Sequence, residues 1–440
     1  MTSLSLWLVG VGSRLATTVL STANVIVLAR VLGPESMGQY FVFVTLVTVL
    51  SLAADFGMSP TAAVFAGRQV HQAWSVHRVL LQIVPVLSLV IAVPAAVLFW
   101  IAGDRLLPAF AQVWMVLALV ILPLALYANF WNGMMIGMRR VVRLHLTQLL
   151  VRGLALALNL AFVVLTPGGI GAALVVYSVV MLAQALLMLA MACRILERTA
   201  GLAAPPSLRH EMFRFGLRSY PGLLSDLLWA RSTVLLLNGF HGPAAVGVFS
   251  VGQQFAERML LPTEVMQNVI YRRVCSLPRA EAASAMNQYL RVTIWAMLPI
   301  LLLGAVIAPS MVPLLLGSAY ADSATIIPLL LYGSLVMIPT VLLTPFFMGQ
   351  LRRPGLLSIL GWLHVLTNVA FGLLLIPRWV ELGAALSLVG SQLLGAALLL
   401  VLYARLAPAR LSAATWLQSH DVAITVKQVR QILWRPRVSS

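Results

Sequence analysis

Five ionisable side chains stand where the surrounding sequence is almost wholly apolar: Arg14, Asp226, Arg231, Glu257 and Arg258. At 1.5 Å of rise per residue, each lies on the order of 15–20 Å along a candidate membrane helix. A charge at the centre of a bilayer costs about 2.5–3.5 kcal/mol on insertion scales, so all five are expected to face a bundle interior or a wet cavity. The three arginines supply fixed positive charge and forked donors, which match phosphate or diphosphate oxygens. The two carboxylates suit proton release or the binding of a coupling cation. Asp226 and Arg231 are five residues apart, roughly 140° around a helix, so they address different neighbours. Internal ion pairs that fix helix packing would use the same residue types, and both readings stay open at this level. Arg152 is shallower and close enough to a helix end to snorkel. Asp55 and Glu264 fall near the ends of the second and eighth runs, where they read as interfacial carboxylates or partners of nearby arginines.

The elements that position these residues follow from composition. Of 440 residues, 61% are hydrophobic and only 9% are charged, which excludes an ordinary soluble protein. A hydrocarbon core of about 30 Å needs roughly 20 apolar residues per crossing helix. Twelve runs qualify, at about 4–29, 38–58, 79–103, 112–137, 144–166, 170–192, 217–240, 245–270, 292–317, 323–348, 355–376 and 382–404. The expected fold class is therefore all-α and integral to the membrane. The first run lacks a preceding basic region and an evident cleavage site, so it reads as a retained helix and not a signal peptide.

A pattern occurs twice. Gly33-Pro34 with Gly38 and Tyr40 returns as Gly242-Pro243 with Gly247 and Phe249, shifted by 209. Asn159 with Ala161-Phe162 returns as Asn368 with Ala370-Phe371, and Gly171-Ala172-Ala173-Leu174 as Gly383-Ala384-Ala385-Leu386. Two copies of one half imply two six-helix lobes, 1–193 and 217–404, with a linker at 194–216 and a basic tail at 405–440. Duplicated halves are common in transporters that rock around a site at the repeat interface. Among the prolines inside the runs, Pro221 is the strongest candidate for a hinge.

The net charge of +17 invites a nucleic-acid reading, and its placement argues against one. Nearly all loop arginines fall on alternate loops and the tail, while the opposite loops hold only Arg30, Arg105 and Arg378. By the positive-inside bias both termini are expected in the cytoplasm. The tail mixes Trp416, Ile424, Val429, Ile432 and Trp434 with basic residues, as an amphipathic helix on anionic lipid would. Two cysteines give no disulfide framework, and seven scattered histidines give no metal spacing. The only lysine, Lys427, lies outside any Gly-rich loop, so no Walker-type ATPase is encoded and no cofactor is implied.

The stretch Leu28-Ala29-Arg30-Val31-Leu32-Gly33-Pro34-Glu35, continued by Gly38, Tyr40 and Asp55-Phe56-Gly57-Met58, resembles the polysaccharide biosynthesis (Wzx-type) flippases of lipid-linked oligosaccharides. These belong to the multidrug/oligosaccharidyl-lipid/polysaccharide exporter superfamily. The resemblance implies two six-helix lobes around a central cavity, and no enzymatic step. It implies transfer of undecaprenyl-diphosphate-linked units across the bacterial inner membrane, for O-antigen, capsule or exopolysaccharide. Arg14, Arg231 and Arg258 would meet the diphosphate, and Asp226 and Glu257 would couple an ion. Arg30 and Glu35 would be structural, pairing or capping at the elbow. The second copy departs from the elbow, with Asn238, Gly239 and His241 in place of its charged version. Partners would be the lipid-linked substrate and membrane lipid, with a polymerase and a chain-length regulator of the same pathway. Competing readings are an ion-coupled drug exporter of the same superfamily and a membrane glycan polymerase or ligase. Short outward loops disfavour the latter.

Overall fold

A long apolar helix stops only where something in the chain forces it to. In the computed structural model, which describes residues 3–68, 73–106, 110–166, 168–196 and 207–408, three helices are interrupted at one residue each. Helix α1 (Ser3–Ala53) breaks at Gly33 and helix α7 (Leu208–Met259) breaks at Gly242. Helix α11 (Pro354–Leu406) breaks at Val380. At both glycines φ lies in the left-handed region, 73° and 78°, a conformation costly for any residue with a Cβ. The proline that follows each one pre-sets φ for the first helical position, so a new helix starts at once. The loop expected between the first two runs is therefore a single residue. In α7 the interruption falls at Gly242 and not at Pro221.

The remaining elements are α2 (Met58–Arg68), α3 (Ala73–Leu106), α4 (Gln112–Gly137), α5 (Val141–Asn159), α6 (Gly169–Leu196), α8 (Leu261–Ser276), α9 (Arg279–Leu316) and α10 (Ala321–Pro345). Short π-helical turns at Leu160–Val164 and Phe346–Gln350 extend α5 and α10. With α1, α7 and α11 each counted as two, and with α2 and α8 continuing the helices before them, twelve crossing segments stand among the described residues. The protein is an all-α, multi-pass membrane protein. Side chains such as Trp100 (85% exposed) and Val306 (76%) give it an apolar outer surface, as a lipid solvent requires. Helix α7 starts at Leu208, so residues 208–216 are helical where a linker was expected. The basic tail lies outside the described residues from 409 onward.

Contacts divide the chain into two compact units. One is Leu6–Gly247, in which α4 packs on α2, α3 and α6, and α5 packs on α6. Its core holds Met37, Phe43, Phe130 and Trp131, all fully buried. The elbows meet inside this unit. A Cβ on Gly38 would stand 1.6 Å from the Pro243 carbonyl oxygen, and one on Gly247 would stand 2.0 Å from that of Pro34. The two contacts are the same contact in the two repeat copies, each seen from the other side. The second unit comprises residues 1–5 and 248–440, in which α10 packs on α8, α9 and α11 around Phe249, Phe346, Phe347 and Tyr403.

One further repeat feature emerges in the turns after α4 and before α11. Arg139 and Arg352, first members of the pairs Arg139-Arg140 and Arg352-Arg353, both have positive φ, 57° and 51°. Left-handed geometry at a non-glycine residue is uncommon. Its recurrence at matching turns marks the duplication where the surrounding sequence does not.

Asp55 has a definite job. It sits in the four-residue turn between α1 and α2, fully buried, and accepts hydrogen bonds from the Ser59 amide (3.2 Å) and the Ser59 hydroxyl. It thus caps the otherwise unpaired amides at the start of α2. Tyr220 completes the turn from α7: its hydroxyl donates to the Ala53 carbonyl at 2.8 Å, and its ring stacks on Phe56 at 5.2 Å. Glu264, the repeat counterpart of Asp55, lies in the first turn of α8, where a carboxylate favours the helix dipole. Asp55→Ala should lower the thermal unfolding midpoint in detergent, corresponding to a loss of about 1–2 kcal/mol. Asp55→Asn, which can still cap, should retain most of it. An unchanged midpoint in the alanine variant would remove this carboxylate from the account of the fold.

Candidate functional site

The five deep charges divide between the units. Arg14, Asp226 and Arg231 belong to the 6–247 unit, and Glu257 and Arg258 to the other. Arg14 and Arg231 are half-buried, while Asp226 is exposed. The Arg14 charge acts on His145 of α5, which is hydrogen-bonded to Gln148. Further along the same two helices, Asn159 donates to Asn24 at 2.8 Å, and Gly153 approaches the Leu20 side chain. Helices α1 and α5 therefore run side by side along a partly polar seam, with Arg14 at one end of it.

Arg231 has a neighbour that sequence reading did not give it. Tyr177 of α6 feels the charges of both Arg152 and Arg231. Tyr177 also packs edge-on against Tyr40 (6.1 Å) and Phe43 (5.6 Å), which places the elbow helix beside this cluster. The Arg152 side chain is itself exposed. Helix α5 begins at Val141, so Arg152 stands about 16 Å along it. It lines a cavity of about 240 Å³ together with Tyr177 and several carboxamide side chains.

In the 248–440 unit, the Arg258 guanidinium donates to Gln254 at 2.9 Å, and Glu257 accepts from Gln253 at 2.9 Å. Both residues fall in the last turn of α7, just before the break at Leu260 and the proline-initiated α8. The two side chains are held by partners one turn back on their own helix. Glu257 is exposed and Arg258 half-buried. Of the elbow residues, Arg30 and Glu35 are both exposed, Glu35 in the first turn after Pro34. No group of histidine, cysteine and carboxylate side chains able to hold a metal occurs among the described residues.

The cavity beside Arg152 is lined by hydrogen-bonding groups. Guanidiniums, phenols and carboxamides bind oxygen-rich, anionic or polyhydroxylated groups. The sequence profile of the family described as "Polysaccharide biosynthesis protein" matches residues 4–262. The chain belongs to this family. Its fold recurs in solved structures of transporters. An inward-facing multidrug resistance MATE family transporter of the MOP superfamily is 18% identical, with a TM-score of 0.70 over 90% of this chain and 95% of that one. The lipid II flippase MurJ in an inward closed conformation is 11% identical, with a TM-score of 0.71 over 96% of this chain and 91% of that one. An outward-facing MATE family transporter gives 0.59 at 17% identity, over 94% and 97%. At such identities the likeness establishes the fold. No match was found among curated proteins. This member of the polysaccharide biosynthesis family thus carries its polar groups on the helices of a fold that those transporters share.

Proposed function

We propose that the protein translocates undecaprenyl-diphosphate-linked oligosaccharide across the bacterial inner membrane, for assembly of O-antigen, capsule or exopolysaccharide. The observation that carries this reading is the cavity that Arg152, Tyr177 and four carboxamide side chains line on membrane-crossing helices inside a polysaccharide-biosynthesis family member. A diphosphate and a sugar chain cannot enter hydrocarbon unaided, because unpaired charge and bare hydroxyls each cost several kcal/mol there. A positive, hydrogen-bonding interior replaces the lost water, while the prenyl tail stays in lipid.

In this proposal Arg14, Arg231 and Arg258 meet the diphosphate, and Asp226 and Glu257 couple the movement to an ion. The six-helix lobes 1–193 and 217–404 rock about a central cationic cavity, with both termini in the cytoplasm. A polymerase and a chain-length regulator act on the delivered unit. The likeness to multidrug MATE transporters supports one competitor, an ion-coupled exporter of cationic drugs. The arginines disfavour a cationic cargo.

The deciding experiment uses a deletion strain, following surface glycan and the sidedness of the lipid-linked intermediate together. Complete diphosphate-linked units held in the inner leaflet, with no surface polymer, are expected. Units that reach the outer leaflet but stay unpolymerised would assign an enzymatic step instead, and unchanged glycan would favour the drug exporter.

A further inference from the structure

Four helices of the 6–247 unit each turn polar side chains at helical spacing toward the cavity beside Arg152. Helix α4 contributes Asn129 and Asn132, α5 contributes Gln148 and Arg152, and α6 contributes Tyr177 and Gln184. The second half of α1 adds the hydroxyls of Thr48 and Ser51, whose hydrogens go to carbonyls of their own helix (2.7 and 3.0 Å), leaving their oxygens as acceptors. Spacings of three, four and seven residues put each pair on one helix face. Four carboxamides and a guanidinium on membrane-crossing helices are costly unless they serve a partner.

The lining fixes the partner's chemistry. Among the described residues it contains no carboxylate, so it does not suit a cation. Its one fixed charge is a guanidinium, which matches a single carboxylate in a bidentate pair. The Asn132 carboxamide oxygen is buried and has no hydrogen-bond partner. A buried acceptor of this kind needs a donor, which a bare phosphate dianion does not carry and a sugar hydroxyl does. The volume, about 240 Å³, lies below the ~300–1,000 Å³ of pockets for drug-sized ligands. It is suited to one sugar ring and not to a whole glycan. Tyr177 links this cavity to Arg231, so a sugar bound here would lie beside the arginine proposed for the diphosphate.

We propose that this cavity is a sugar-recognition subsite for one acidic sugar of the transported glycan, its carboxylate on Arg152 and its hydroxyls on the surrounding carboxamides. The inference rests on the lipid-linked-glycan reading above and names a selectivity that reading does not contain. An exporter with this subsite accepts units by their sugar, not only by their diphosphate.

The test uses the full chain in lipid nanodiscs. Sodium D-glucuronate and D-glucose are titrated and read by saturation-transfer NMR, and inorganic pyrophosphate by phosphorus line broadening. Glucuronate should bind saturably and more tightly than glucose. Arg152→Gln and Asn132→Ala should each weaken it at least about tenfold, as loss of a charge-assisted or buried hydrogen bond implies. Arg152→Lys, which keeps the charge without the fork, should fall between. Pyrophosphate binding should survive the Arg152 and Asn132 substitutions and be lost in the Arg14→Ala/Arg231→Ala double variant. Absence of saturable glucuronate binding, or equal binding by folded Arg152→Gln, overturns the subsite. Equal affinity for glucose overturns its acidic character. Failure of pyrophosphate to bind the wild-type chain strikes the diphosphate reading alone.

Discussion

Gly38→Val should abolish recoverable folded protein, and Gly247→Ala should reduce it severely. The elbow helices cross with main chain on main chain, so nothing flexible stands ready to yield. A Cβ at position 38 would sit 1.6 Å from the Pro243 oxygen, and one at position 247 would sit 2.0 Å from the Pro34 oxygen. Overpacking an ordinary core costs about 1–3 kcal/mol because side chains re-adjust. Here two helices must separate, and the expected penalty is at or above the top of that range. Gly239→Ala supplies the control, since it lies eight residues earlier, on the other side of the break at Gly242, and a Cβ there would meet nothing within 4 Å. Helix propensity alone should leave that variant neutral or slightly more stable. Yield and unfolding midpoint in detergent measure both effects. Normal midpoints for both Gly38→Val and Gly247→Ala would mean that the crossing is not part of the working fold.

The second large effect concerns transport. Arg14→Ala and Arg231→Ala should each abolish surface glycan while leaving membrane abundance intact. Each is half-buried on a crossing helix, and truncating it removes a charge and not apolar core volume. Stability should therefore hold. Substrate recognition should not, because a charge-assisted hydrogen bond contributes about 1.5–3 kcal/mol, or roughly ten- to 150-fold in affinity per arginine. Arg231→Lys should restore part of the export, since charge remains without the fork. Quantitative immunoblotting of membranes alongside surface-glycan staining separates loss of protein from loss of function. Normal export from both alanine variants would dismiss these positions as the anion site.

Much of the fold was legible because a bilayer permits few solutions. Apolar runs of sufficient length must be helices, and Gly33-Pro34 with its copy Gly242-Pro243 marks two elbows by residues whose backbone preferences are extreme. Less legible were the breaks at 54–57 and Leu260. The first is made by the Asp55 cap and the second precedes the proline that starts α8, and their one sequence trace was the matched spacing of Asp55 and Glu264. Helix lengths were also underestimated wherever polar residues extend a helix beyond the hydrocarbon, as in α7 back to Leu208 and α9 back to Arg279.

The candidate site was read only in part, and for a physical reason. Ranking residues by the cost of burying charge finds Arg14 and Arg231 but passes over Asn129, Asn132, Gln148 and Gln184, which are cheaper singly. Their significance is collective, and it appears only when four helices are brought together. Arg152 was set apart from the other arginines by its nearness to a helix end, and its place in the cavity lining appears only in three dimensions. A count of polar pairs at spacings of three, four and seven within apolar runs would have brought them forward.

The reciprocal elbow contact has a bearing on ancestry. Pro34 meets Gly247, and Pro243 meets Gly38, the same pair of positions exchanged between the two copies. That exchange is what defines an isologous interface, in which one patch pairs with itself across a two-fold axis. A single half could therefore have made this crossing with a second molecule of itself before any gene fusion. Fusion of two such halves would turn a contact between separate chains into one within a chain. In such a crossing neither glycine can gain bulk alone, because a side chain on either one runs into the proline carbonyl of the other copy.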